Sequence, residues 1–232
     1  MYGMWGGFYW DWTMFLIIPG IIAAMWAQSR VNRAYRMYSK IPVLCGMSGS
    51  EAAFRILSDN NIHDVQLDVS GGALSDNYNP RKRTLNLSEN SYSGRTIAAV
   101  AVAAHETGHA LQHHQGYIPL RIRSVMAPVV SAVSYMLWPV LILGLWLGFT
   151  GAIQVAVYIF LGIFAFQVVT LPVEFNASRR AMAALTETGA FSEEELYGAK
   201  QMLNAAALTY VAATLVALLN VVRFLALSQR RR

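Results

Sequence analysis

The stretch SVMAPVVSAVSYMLWPVLILGLWLGFTGAIQVAVYIFLGIFAFQVVTLPV, residues 124–173, holds fifty consecutive positions without Asp, Glu, Lys, Arg or His. One membrane-crossing helix needs about 20 apolar residues. The run therefore predicts two, joined at Gly148-Phe149-Thr150-Gly151, where glycines flank a tight turn. The whole chain agrees: of 232 residues 55% are apolar and 13% charged, against about 25% charged in an ordinary soluble domain. Such a composition excludes a disordered chain, a collagen and a coiled coil. The single cysteine, Cys45, allows neither an intramolecular disulfide nor a cysteine-based metal cage.

Two further apolar segments flank this hairpin. Residues 12–27, WTMFLIIPGIIAAMWA, reach spanning length with the aromatic residues before them, and Pro19-Gly20 is expected to kink that helix. No basic residue precedes the segment and no small-residue cleavage site follows, so it reads as an uncleaved anchor. Trp5, Trp10, Trp12 and Trp26 suit the interfacial belts. Gln201 to Val222 is uncharged and long enough for a fourth span. Lysine and arginine set the orientation: residues 1–11 contain none, residues 28–124 contain eleven and residues 174–200 contain three. By the positive-inside rule both polar regions face the cytoplasm and the N-terminus lies outside. A fourth full span then carries Arg230, Arg231 and Arg232 outside, against the same rule. The +5 formal charge thus records topology rather than a phosphate-reading surface, and no nucleic-acid partner is expected.

The expected architecture is mainly α: an integral-membrane protein with about four transmembrane helices and a small α+β cytoplasmic domain. Its parts are an anchor (1–27), a cytoplasmic region (28–124), the hairpin (125–173), a second cytoplasmic segment (174–203) and a C-terminal membrane helix with a basic tail (204–232). Within the first polar region, residues 28–40 continue the anchor helix, and Arg30, Arg33 and Arg36 form a basic collar at the headgroups. Ser48-Gly49-Ser50-Glu51 is a capping-box pattern that starts a helix ending near Asn60-Asn61. Residues 65–69 (VQLDV) and 83–88 (RTLNLS) read as short strands, separated by the loop-like GGALSDNYNP. An alanine-rich helix follows, TIAAVAVAAHETGHALQHH. Ser192 before Glu193-Glu194-Glu195 marks another helix start.

The chemistry sits in that alanine-rich helix. His105-Glu106-Thr107-Gly108-His109 is an H-E-x-x-H motif; residues four apart share a helical face, so both imidazoles can reach one ion while Glu106 stays free beside it. Gly108 either admits a second backbone at close range or leaves room for substrate. A catalytic zinc needs a third protein ligand and an open position. His113 lies about 12 Å along the helix from His105 at 1.5 Å per residue, too far without a bend. The extended three-histidine pattern is broken by Gln112 and Gln115. Glu174 remains, the first charge after the hairpin and on the same membrane side as the motif; a bare carboxylate there is costly unless paired or coordinated.

Residues 74–113, LSDNYNPRKRTLNLSENSYSGRTIAAVAVAAHETGHALQH, with the hydrophobic hairpin and PVEFNASRRA at 172–181, resemble the bacterial integral-membrane neutral zinc metallopeptidases of the YugP type. The likeness covers nearly the whole chain beyond its Met/Tyr-rich start. HETGH with the downstream EFNAS is more distantly similar to HtpX-type and CaaX prenyl proteases. Their glutamate ligand is followed four residues later by an aspartate, where this chain has Ser178. The resemblance implies one zinc held by His105, His109 and Glu174, Glu106 as general base, a zincin-like cytoplasmic fold, and a multi-pass location in a bacterial inner membrane. The expected partners are the bilayer and a peptide or membrane-protein substrate, bound where RTLNLS could offer a strand edge. Tyr78, Arg179 and Tyr197 are candidates for stabilising the oxyanion, and the sequence does not choose among them. The rival reading is a silent membrane adaptor with a structural zinc. Nothing in the pattern specifies an oligomer or a regulatory partner.

Overall fold

The computed structural model describes residues 12–72, 75–147 and 151–229. The expected turn at residues 148–150, the Trp5 and Trp10 belt positions and the basic tail lie outside them. A 3-10 segment, Trp12–Ile17, leads into α1 (Ile18–Tyr38). Pro19 sits in the first turn of α1, where its missing N–H is no loss, so it starts the α-helix instead of kinking it. Then come α2 (Gly49–Asp59), β1 (Gln66–Ser70), β2 (Asn77–Asn79), β3 (Thr84–Ser88) and α3 (Glu89–Tyr92). The chain ends in four long helices: α4 (Ile97–His114), α5 (Ile118–Trp146), α6 (Ala152–Glu187) and α7 (Glu193–Gln229). The fold is mainly α with a small α+β part, and the segments Trp12–Tyr38, Ile118–Gly144, Ala152–Glu187 and Glu193–Gln229 are each long and apolar enough to cross a membrane.

The local signals act as the residues dictate. Ser48 accepts from the Glu51 N–H at 3.2 Å while Glu51 Oε2 accepts from the Ser48 N–H at 2.7 Å, a complete capping box. Ser192 and Glu195 repeat it at the start of α7, and the second Glu195 oxygen accepts from the Leu44 N–H at 2.6 Å. The sheet has the order β1–β3–β2, with β1 parallel and β2 antiparallel to β3. Two expectations change here. Residues 77–79, read as loop, form the third strand, and β3 is central with both edges paired, so RTLNLS cannot take an added strand. The free edge on that side belongs to β2.

Leu85 and Leu87 of β3 pack with Ala53 and Ala103 in one buried cluster, and a larger one joins α2, α4, α6 and the first turns of α7. The alanine-rich face of α4 allows this crowding, since small side chains bring helix axes together. Gly108 marks a close approach of α4 to α6: a Cβ there would stand 2.4 Å from the Ala177 carbonyl oxygen. Of the two reasons for that glycine, the structure gives backbone contact with α6. Among the apolar helices α7 packs along both α1 and α6, and α6 along α5, giving the order α1–α7–α6–α5. At the end away from α4, Leu137, Leu141, Phe160, Val221 and Phe224 pack α5, α6 and α7 together.

Candidate metal centre

The helical spacing of α4 turns His105 and His109 the same way, and the α4–α6 crossing at Gly108 sets Glu174 opposite them. Glu174 Oε2 lies 3.1 Å from His105 Nε2 and 3.7 Å from His109 Nε2. One ligand atom from each of the three residues falls within 4.8 Å of the others. Glu174 is 1% exposed, and its other oxygen, Oε1, is 2.7 Å from Arg123 Nη1 on α5, an ion-pair contact without the alignment of a good hydrogen bond.

Hydrogen bonds behind the imidazoles fix their orientation. His109 Nδ1 is 3.0 Å from Gln112 Oε1, and the Gln112 amide nitrogen donates to the Val173 carbonyl at 2.7 Å and to Asn176 Oδ1 at 3.0 Å. Arg180 Nε donates to the same Asn176 oxygen at 2.7 Å, and its guanidinium also bonds Gln115. Each link has one sense. The Val173 carbonyl only accepts, so the Gln112 nitrogen faces it and the Gln112 oxygen faces His109. His109 therefore carries its proton on Nδ1 when neutral and turns the Nε2 lone pair toward Glu174. His105 Nδ1 is 3.2 Å from Ser178 Oγ. Ser178, four residues after Glu174, thus sets its hydroxyl against His105, and Gln112 and Gln115, which break the extended histidine pattern, belong to the support of His109.

The donor chemistry fits zinc. A buried carboxylate facing imidazole lone pairs is unfavourable unless a cation lies between them. The same pressure acts on protons: burial alone would lower the His109 pKa, but hydrogen bonding to Glu174 and the charges of Glu106 and Glu174 outweigh it and raise the pKa above the ordinary histidine range. Two imidazoles and a carboxylate, each supported from behind, are of the donor types that a three-protein-ligand zinc site uses.

Residues 13–229 match the family model described as "Putative neutral zinc metallopeptidase". The chain belongs to this neutral zinc metallopeptidase family. It is 42% identical over 212 residues to "Putative membrane protease YugP" of Bacillus subtilis (strain 168), covering 91% of this chain and 94% of that protein. No solved structure matches it.

In this member of the family a cleft of about 390 Å³ opens beside His109 and Glu174. Its walls are residues 76–81 around β2, Glu106 and His109 of α4, Leu120, Arg123, Ser124 and Ala127 of α5, Glu174, and Tyr210 of α7. Glu106 therefore stands beside the candidate ligands without joining them, as its place in the motif requires. Of the three oxyanion candidates, Tyr78 lines the cleft, but its hydroxyl is 2.8 Å from His113 Nδ1. Burial pushes the Tyr78 phenol up to about 12, so it remains a protonated donor. Arg179 lines a separate groove between α6 and α7, and Tyr197 is an exposed residue of α7; neither lines the cleft. His113 turns to Tyr78 rather than to the metal centre, as its spacing foretells.

Sequence reading missed two cleft residues. Arg123 had been counted as topological charge, and its contact with Glu174 spans fifty-one positions. Tyr210, which lines the cleft together with Glu174, sits inside an apolar run with no local motif. Its only signal is that it interrupts the Ala/Leu/Val pattern with a hydroxyl.

Proposed function

We propose that the chain is a membrane-embedded zinc metalloendopeptidase whose active site faces the cytoplasm and cuts peptide bonds near the membrane surface. The observation that carries the reading is the convergence of His105, His109 and Glu174 beside a cleft lined by Glu106. These three residues would hold one zinc. When bound, zinc supplies Lewis acidity, bringing the pKa of water toward ~7 and polarising a peptide carbonyl. Glu106 takes a proton from the attacking water as its oxygen adds to the carbonyl carbon. It returns that proton to the amine as the C–N bond breaks. Tyr210 supports the reading as a neutral hydroxyl donor in the same cleft for the developing oxyanion. The free edge of β2 borders the cleft and suits an extended substrate backbone, the role first sought in β3.

The cleft's α5 wall runs along one helical face, Leu120, Arg123, Ser124 and Ala127, into the uncharged span. This supports membrane proteins, cut in segments adjoining their spans, as the substrate class. The lysine and arginine distribution supports a cytoplasmic site in a bacterial inner membrane. A structural zinc in a silent adaptor has no use for a base, whereas Glu106 borders an open cleft.

The test is metal analysis of purified protein together with hydrolysis of a membrane-protein substrate. Wild type is expected to hold one zinc per chain and Glu106→Gln to keep it while losing hydrolysis. His105→Ala is expected to lose the metal, and Tyr210→Phe to keep it with about a hundredfold lower rate. Equal hydrolysis by wild type and Glu106→Gln would reject the proposal.

A further inference from the structure

The two oxygens of Glu174 have different neighbours. Oε2 faces both imidazole nitrogens, at 3.1 and 3.7 Å. Oε1 is 2.7 Å from the Arg123 guanidinium. We infer that Arg123 is a positioning residue that reserves one Glu174 oxygen for itself and leaves only the other to the metal, an inference that rests on the metallopeptidase reading above.

A glutamate can bind zinc through one oxygen or two. Two imidazoles and a one-oxygen carboxylate leave the fourth tetrahedral position open for water, whereas a carboxylate binding through both oxygens takes that position and leaves water only a fifth place. A cation fixed on Oε1 therefore protects the open position. It also holds the carboxylate in one orientation toward the two imidazoles, and support of this kind raises metal affinity. Arg123 suits this role by its surroundings. Its side chain is 27% exposed while Glu174 is 1% exposed, so the pair is mostly removed from water and its attraction is little screened. The two come from different helices: Arg123 ends the charged part of α5, one residue before the uncharged run, and Glu174 lies on α6. Among the described residues no other cation makes an ion pair with Glu174 apart from the two candidate histidine ligands.

The rival role is a structural pin that holds α5 to α6. Metal binding separates the two. Full-length wild type, Arg123→Gln and Arg123→Lys are purified in detergent, and zinc affinity is measured by competition with a chelator. Each is also loaded with Co²⁺ for visible absorption, and the metal-free proteins are melted. Arg123→Gln is expected to lose about 10- to 100-fold in zinc affinity and to shift its Co²⁺ spectrum from the intense bands of four-coordination toward the weaker bands of five. Arg123→Lys, which keeps a cation for Oε1, recovers most of the affinity and the four-coordinate spectrum. The inference is overturned if wild type binds zinc and Arg123→Gln matches it in affinity and spectrum. It is equally overturned if Gln and Lys lose affinity alike with a common drop in melting temperature, the behaviour of a pin. Wild-type protein that binds no zinc at all rejects the metallopeptidase reading instead.

Discussion

Gln112 holds its amide between the Val173 carbonyl and His109 Nδ1, so Gln112→Leu leaves a buried carbonyl short of one donor and frees His109 to take either tautomer. Support of this kind is worth about 10- to 100-fold in metal affinity, and chelator competition is expected to read a loss in that range. An unchanged affinity means that ring packing alone orients His109. The convergence of His105, His109 and Glu174 was legible, because helical spacing fixes the geometry of H-E-x-x-H and an uncharged run isolates Glu174. Their supports were not: Gln112 reaches Val173 across sixty-one positions, and no local pattern encodes such a contact. His113 carries a pH prediction of the same scale. Burial pushes its imidazole below the ordinary histidine range, with repulsion from Arg83, Arg121 and His114 adding to it. Below about pH 6.5 the unfolded chain then binds more protons than the folded one, so stability is complete above that pH and is lost as pH falls through the folded value. Melting temperature is expected to drop on acidification from about pH 7.5 to about pH 5, and less so in His113→Gln; identical slopes would clear His113 of this role.

Gly108 decides how two elements meet. In Gly108→Ala the new methyl carbon stands 2.4 Å from the Ala177 carbonyl oxygen, so α4 and α6 must separate by enough to disturb the bonds from Gln112 to α6 and from His105 to Glu174. Overpacking of this kind costs about 1–3 kcal/mol, and both melting temperature and zinc content are expected to fall. Gly162→Ala, on α6 where nothing lies within 4 Å of the added carbon, is the control and is expected to keep both. Melting and zinc content in Gly108→Ala equal to the control's would show that the crossing has slack. At this scale the sequence was legible wherever a signal is local. The Ser48–Glu51 capping box and the uncharged hairpin marked their elements because each signal lies within one segment. β2 escaped because Asn77-Tyr78-Asn79 is too short to display alternation and its flanks are turn residues. The central place of β3 escaped because strand order depends on contacts that no single strand encodes. Pro19 was misjudged by position: a proline kinks a helix from within but begins one from its first turn.

The helix lengths give the whole molecule a ruler. Glu174 lies twenty-two residues beyond the start of α6, Arg123 twenty-three before the end of α5, and Tyr210 nineteen before the end of α7. At 1.5 Å per residue these are about 33, 34 and 28 Å, close to the ~30 Å hydrocarbon thickness of a bilayer. Three cleft residues from three helices thus fall at one depth, the level at which a membrane ends if the far helix ends sit at the opposite face. The side on which they emerge is open to test through the native chain. Cys45 is its single cysteine and is exposed in the segment between α1 and α2, on the same side of α1 as the eleven basic residues of positions 28–124. A membrane-impermeant maleimide is therefore expected to label Cys45 in inverted membrane vesicles and to leave it unlabelled in intact cells. In a Cys45→Ser background, Gln229→Cys at the end of α7 is expected to give the opposite pattern, because a full fourth span carries it to the outer face. Labelling of both positions from the same side would leave α7 short of a crossing. Labelling of Cys45 in intact cells would turn the metal centre outward and remove cytoplasmic segments of membrane proteins as its substrates.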